Sequence, residues 1–233
     1  WSSTGGFRCA DPSTAELLRA QYPAAECLLE RSRHYQPWGW KDPRTTLLLP
    51  FWEKLEPEAL VIGIYRYPWE IVDALQRLRP PVFLTNPHWA LQIWQHYNQS
   101  LLARWQRQPQ RTLLLNSGAL IAQPAALADL LVRRLGWSWC ELAKEKLAAL
   151  RRPELHRSLP AADALPLLHR LVSPESTALL EALERSADLP GDLHPLQPDR
   201  LAVLQSQPAA IPRLAIVIPT FNQGDLLVEA VAS

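Results

Sequence analysis

The sequence predicts an α/β fold, a parallel sheet with helices on its flanks. Two observations carry that prediction. The runs 59–66 (Ala-Leu-Val-Ile-Gly-Ile-Tyr-Arg) and 112–115 (Thr-Leu-Leu-Leu) are apolar and too short for buried helices, and the first is rich in β-branched residues. Segments of helical periodicity stand between and after them, and strands that alternate with helices pair in parallel.

Helix starts are marked by proline directly after a capping residue, where its fixed φ suits the first turn and its missing N–H removes a donor that has no partner there. Asp11-Pro12 opens a helix over 11–21, Asp42-Pro43 one over 42–55, and Ser173-Pro174 one over 173–186. Tyr67-Pro68 ends the first strand and begins a helix to 78. From 88 to 106, Ala90, Trp94, Tyr97, Leu101 and Trp105 recur at spacings of three and four, one face of a long amphipathic helix that Asn86-Pro87 caps. After strand 112–115 comes a helix over 124–135, which Gly136 terminates in the left-handed conformation.

Beyond 172 the pattern thins. Pro190, Gly191, Pro195, Pro198, Pro208 and Pro212 give 188–212 the composition of an interdomain linker. A new apolar run, Ile216-Val217-Ile218, then reaches a Pro-Thr-Phe-Asn-Gln-Gly turn and an apolar helix pattern, the first strand, loop and helix of another unit. The expected division is therefore 1–172, 173–212 and 213–233. A lone strand and helix bury little, so 213–233 is expected to be mobile or loosely docked, and its deletion to leave the rest nearly as stable.

Composition excludes several classes. With 24 Lys and Arg against 23 Asp and Glu, there is no charge excess for nucleic acid. No apolar run approaches the roughly 20 residues needed to cross a bilayer, so no transmembrane segment is expected in this stretch, and the expected setting is cytoplasmic. Met is absent throughout, which reads as an internal piece of a longer polypeptide. Cys9, Cys27 and Cys140 are far apart and lack His or Cys at ligand spacing, so buried free thiols are expected and no metal site.

The segment 38–75 carries the chemistry. Arg66 ends a strand and Pro68 sits in the first turn of the next helix, so a guanidinium stands beside exposed helix N–H donors. That combination suits a phosphate, although a strand-end Arg also pairs readily with a carboxylate. In Lys41-Asp42-Pro43-Arg44, Asp42 either caps the following helix or accepts a proton as general base. Lys41 and Arg44 either stabilise negative charge or pair with Asp42 or a nearby Glu. Trp38 and Trp40 flank this turn and either pack in the core or line an acceptor pocket; His34 lies close by. The loop "STGGF" at 3–7 has glycines but no preceding strand and no Lys, so it reads as a plain loop.

From about 38 to 137 the chain resembles the later part of a bacterial PAPS-dependent sulfotransferase domain. The likeness rests on "Trp-Lys-Asp-Pro-Arg", "Leu-Pro-Phe-Trp", the strand-Arg-x-Pro helix, "Ala-Leu-x-x-Trp-x-x-Tyr-Asn" at 90–98, and a buried strand before a helix ending at Leu-Gly-Trp, all in the family's order. The resemblance implies a P-loop-like α/β fold, PAPS as cofactor, Arg66 facing its 3′-phosphate, and Lys41 and Arg44 near the donor. It also implies a glycan or other hydroxyl acceptor, with Asp42 as the candidate catalytic group. The family usually has Ser eight positions after the arginine, where this chain has Ala74, and its glycine-rich phosphosulfate loop has no counterpart before Trp38.

The run 216–223 (Ile-Val-Ile-Pro-Thr-Phe-Asn-Gln) resembles the opening of family 2 glycosyltransferases. That resemblance implies a GT-A domain start, a nucleotide-sugar donor with a divalent metal, and Pro219, Thr220 and Asn222 beside the donor's base and ribose. The expectation is a bifunctional glycan-modifying protein. The alternative, motivated by Ala74, is a degenerate, non-catalytic sulfotransferase-like module attached to an active glycosyltransferase.

Overall fold

The computed structural model describes residues 22–35, 38–78, 83, 88–135, 173–191 and 214–217. Within them lie seven α-helices: α1 (Tyr22–Ser32), α2 (Leu49–Leu55), α3 (Pro68–Leu78), α4 (His88–Arg107), α5 (Ser117–Ala122), α6 (Pro124–Leu135) and α7 (Pro174–Ser186). The sheet contains β1 (Leu60–Tyr65), β2 (Thr112–Asn116) and β3 (Leu214–Val217) in the order β2-β1-β3, with both pairings parallel. The α/β expectation holds at this level. The predicted helix at 11–21, the loop at 3–7, and the caps at Asn86 and Gly136 lie outside the described residues.

Alternation along β1 divides the core. Leu60, Ile62 and Ile64 pack with Leu113 and Leu115 of β2 and with Leu127, Leu130 and Leu131 of α6. Tyr65 packs on the opposite face with Trp94 and Leu101 of α4 and Leu180 and Leu183 of α7. Every residue of β1 and β2 is buried, which explains their continuous apolar character. Gly63 permits the close approach of α4: a Cβ there would stand 2.3 Å from Leu101 Cδ1.

The predicted helix over 42–55 is broken in two. Pro43–Leu48 forms a 3-10 turn and Leu49–Leu55 a separate α-helix. Pro50 is the physical reason, because it has no N–H to donate to the carbonyl of Thr46 four residues earlier. Ser100 Oγ of α4 donates to that carbonyl instead, at 2.7 Å.

Two regions depart from the expected division. The helix expected at 173–186 is α7, but Leu179, Leu180 and Leu183 bury it in the main core. The residues after it, which read as linker, lie on the outer edge of β2: Leu115 and Leu189 form a parallel bridge, and Asn116 N donates to Leu189 O at 2.8 Å. Asp188 Oδ2 accepts from Leu114 N at 2.9 Å, so a side chain supplies a ladder acceptor. One bridge has no periodicity to read, and Pro190 and Gly191 gave the composition of a loop. The strand 214–217, expected to start a separate unit, pairs with β1 through Leu60–Leu214 to Gly63–Val217. Without it, that edge of β1 would carry a row of unpaired N–H and C=O groups, and an apolar strand satisfies them.

Cys27 is a free thiol but exposed, contrary to the buried expectation, because Ala25 and Leu29 carry the inner face of α1. Cys9 and Cys140 lie outside the described residues. Among the described residues no helix is long and apolar enough to cross a membrane.

Candidate functional site

Ligands of open α/β sheets bind beyond the carboxyl ends of the strands. At the end of β1, Arg66 is 3% exposed. Its carbonyl accepts from Trp94 Nε1 of α4 at 2.8 Å, and Nε lies 3.4 Å from Glu70 Oε2, a long contact. Glu70, on the first turn of α3, also accepts from the Tyr67 N–H at 3.1 Å. One carboxylate thus serves both a guanidinium and a backbone donor at the helix start. Arg66 Nη2 is buried and finds no hydrogen-bond partner among the described residues, and neither does Trp69 Nε1 in the same turn. Both orphans are donors, so the group that would satisfy them is an acceptor.

The second predicted cluster is exposed and self-contained. Asp42 caps the 3-10 turn by accepting from Arg44 N at 2.9 Å, and its carboxylate receives the Arg44 guanidinium through Nε at 2.9 and 3.0 Å and through Nη2. The side-chain bonds from Arg44 hold Asp42 below its ordinary carboxylate value, against partial burial, and the same bonds raise Arg44. A carboxylate so held is a weaker proton acceptor. Lys41 is half-buried and makes no ion pair among the described residues.

Helix α4 lies behind both clusters. Trp94 donates to the Arg66 carbonyl, while Ser100, further along the helix, donates to the Thr46 carbonyl of the 3-10 turn. Asn98, in the "Trp-x-x-Tyr-Asn" run, donates to Trp94 O at 2.8 Å and keeps a buried Oδ1 without a partner among the described residues. Among the described residues no hydrogen bond or ion pair joins Arg66 directly to Lys41, Asp42 or Arg44.

Sequence reasoning missed a third cluster. Tyr65 and Asn116 are register partners at the carboxyl ends of β1 and β2. Both donate to Glu184 Oε1 of α7, Tyr65 Oη at 2.7 Å and Asn116 Nδ2 at 3.2 Å, while Gly191 N donates to Oε2 at 2.9 Å. Burial, then the Glu184 charge, pushes the Tyr65 hydroxyl well above its ordinary value, so it stays protonated as a donor. Asn116 also caps α5, accepting from Gly118 N and Ala119 N at 2.8 and 3.2 Å. The only signal was an acidic residue on the inner face of a helix assigned to the linker. A Cβ on Gly191 would stand 1.9 Å from Tyr67 Oη, so this contact needs glycine.

Trp38 stacks on Trp40 at 5.8 Å, and Trp40 lies 4.9 Å from Trp52. Trp40 Nε1 donates to Thr45 Oγ1 at 3.0 Å, which fixes the row to the 41–46 turn. Both Trp38 and Trp40 are half-exposed, whereas Trp94 is core and Trp89 and Trp105 pack against it. His34 is exposed. Pro219, Thr220 and Asn222 lie outside the described residues. Among the described residues no group of three His, Cys, Asp or Glu is arranged to hold a metal. Comparisons with protein-family models, curated proteins and solved structures gave no match.

Proposed function

We propose that the α/β unit binds the 3′-phosphate of PAPS at Arg66 and serves sulfuryl transfer to an acceptor hydroxyl, on a glycan or another small molecule. The observation that carries this reading is the buried guanidinium at the end of β1, with Nη2 lacking a partner, immediately before the N-terminus of α3. PAPS, when bound, supplies the activated sulfuryl group. Arg66 holds the phosphate, Trp94 holds the Arg66 backbone, and Lys41 is the basic side chain of the 41–44 turn left for further negative charge. Arg44 is engaged by Asp42, so this reading gives Asp42 the cap and leaves the proton to another group. Trp38 and Trp40 offer half-exposed rings beside that turn for an acceptor to stack on.

The proposal extends to the terminal motif, where Pro219, Thr220 and Asn222 would bind a nucleotide-sugar donor with a divalent metal. Its support is the run 216–223. A cytoplasmic setting suits both donors.

A second reading, a non-catalytic module on the sulfotransferase plan, is favoured by two observations. Ala74 supplies no hydroxyl, and Glu70 already occupies Arg66. Calorimetry with adenosine 3′,5′-bisphosphate tests the site: Arg66→Ala is expected to weaken binding more than about tenfold, and Ala74→Ser to strengthen it. Equal affinity in the wild type and the Arg66 variant would sink the assignment. Binding without transfer of labelled sulfuryl to any hydroxyl acceptor would favour the second reading.

A further inference from the structure

The Arg66–Glu70 pair contains a device that the phosphate reading alone does not require. Both side chains are 3% exposed, and their opposite charges cancel within one turn of helix. The Glu70 carboxylate takes the two donors an anion would use first, Arg66 Nε and the Tyr67 N–H. It holds the guanidinium only through a 3.4 Å contact, however, and leaves Arg66 Nη2 and Trp69 Nε1 without partners among the described residues. The site is built for an acceptor that Glu70 imitates incompletely.

We propose that Glu70 is a specificity-determining residue: it acts as an internal competitor that admits dianionic phosphate monoesters to Arg66 and rejects monoanions. This rests on the reading of Arg66 as a phosphate site. An anion entering beside Glu70 would set a second negative charge against one guanidinium in a buried place, which is unfavourable. Entry therefore requires displacing the carboxylate. A monoanion replaces one negative charge by another with no gain in charge pairing. A phosphate monoester brings nearly two negative charges and three acceptor oxygens, enough for the donors Glu70 serves and for those it leaves unmade.

The test uses the full chain and two probes, adenosine 3′-phosphate as dianion and adenosine 3′-(methyl phosphate) as monoanion, titrated by calorimetry. Glu70→Gln keeps an oxygen for the Tyr67 N–H and removes the charge. It is expected to bind the dianion about tenfold more tightly and to gain still more for the monoanion, so that the wild-type preference shrinks. Arg66→Lys, which keeps the charge but loses the planar fork, and Arg66→Ala report on the underlying site. If both Arg66 variants lose binding but Glu70→Gln binds no more tightly than wild type, or keeps its preference, the competitor role is overturned and the phosphate site stands. If the Arg66 variants bind as the wild type does, or no protein binds either probe, both fall. A folded Glu70→Asn variant, checked by circular dichroism, replaces Glu70→Gln should the latter not fold, with the same outcomes expected.

Discussion

Two arginine–carboxylate pairs, Arg44 with Asp42 and Arg66 with Glu70, put the same chemistry into opposite surroundings. The first has side chains 68% and 34% exposed; both of the second are 3% exposed. The exposed pair meets its needs locally, since Arg44 lies along both oxygens of Asp42 and water takes the rest. The buried pair is shielded from solvent, and its donor Arg66 Nη2 has no partner among the described residues. Exposure therefore lets a charged pair serve as a structural cap, whereas burial with incomplete pairing leaves a donor unsatisfied.

The largest expected effect is that of Arg66→Ala, which strands the Glu70 carboxylate in the core at a cost of about 3–5 kcal/mol in denaturant unfolding. A loss below about 1 kcal/mol would erase the difference between the pairs. Glu184 provides a buried carboxylate with better partners. Glu184→Ala deprives Tyr65 Oη, Asn116 Nδ2 and Gly191 N of their acceptor and should cost about 2–3 kcal/mol. Glu184→Gln, which keeps an acceptor, should cost less; equal losses would mean that the charge rather than the bonds matters. At the exposed pair, Asp42→Ala should cost about 0.5–2 kcal/mol and Asp42→Asn only part of that.

The pH dependence of the exposed pair sharpens the contrast. Asp42 is lowered from 3.8 on folding, so its contribution is present above that value and is lost as pH falls through the lower folded one. The melting temperature of Asp42→Asn should converge on that of wild type in this acidic window. Smallest of all, Arg44→Ala should change stability by about 0–1 kcal/mol. A larger loss would mean that Tyr97 or another neighbour makes Arg44 part of the core.

The features legible in the sequence were those repeated along it. The two strands and helices α3, α4, α6 and α7 show as apolar periodicity and proline punctuation, and their observed ends fall within two residues of expectation. The place of Arg66, between the end of β1 and the start of α3, was legible because it depends on neighbours at 65–68. The partner Glu70 also lies one turn away, yet a carboxylate at that spacing reads equally as a cap, and only burial of both side chains separates the meanings. Glu184 and Asp188 were hidden for a different reason. Their partners Tyr65 and Leu114 stand 119 and 74 residues earlier, and no local pattern encodes a bond across such a separation. Helix α5 is too short for periodicity, with Asn116 as its one marker. Helix α1 starts at the same Tyr-Pro pair as α3, but no short apolar run precedes Tyr22 in the sequence to frame it.

The sharing of Glu184 by two strand ends bears on the order in which the molecule forms. During synthesis β1 and β2 emerge well before α7, so the sheet's carboxyl end must wait with Tyr65 and Asn116 lacking their acceptor. Closing a contact across 119 residues is entropically slow. Refolding should therefore show early burial of Trp94 against β1 and a later phase in which amides 114–116 acquire protection, with Glu184→Ala delaying or abolishing the second phase alone.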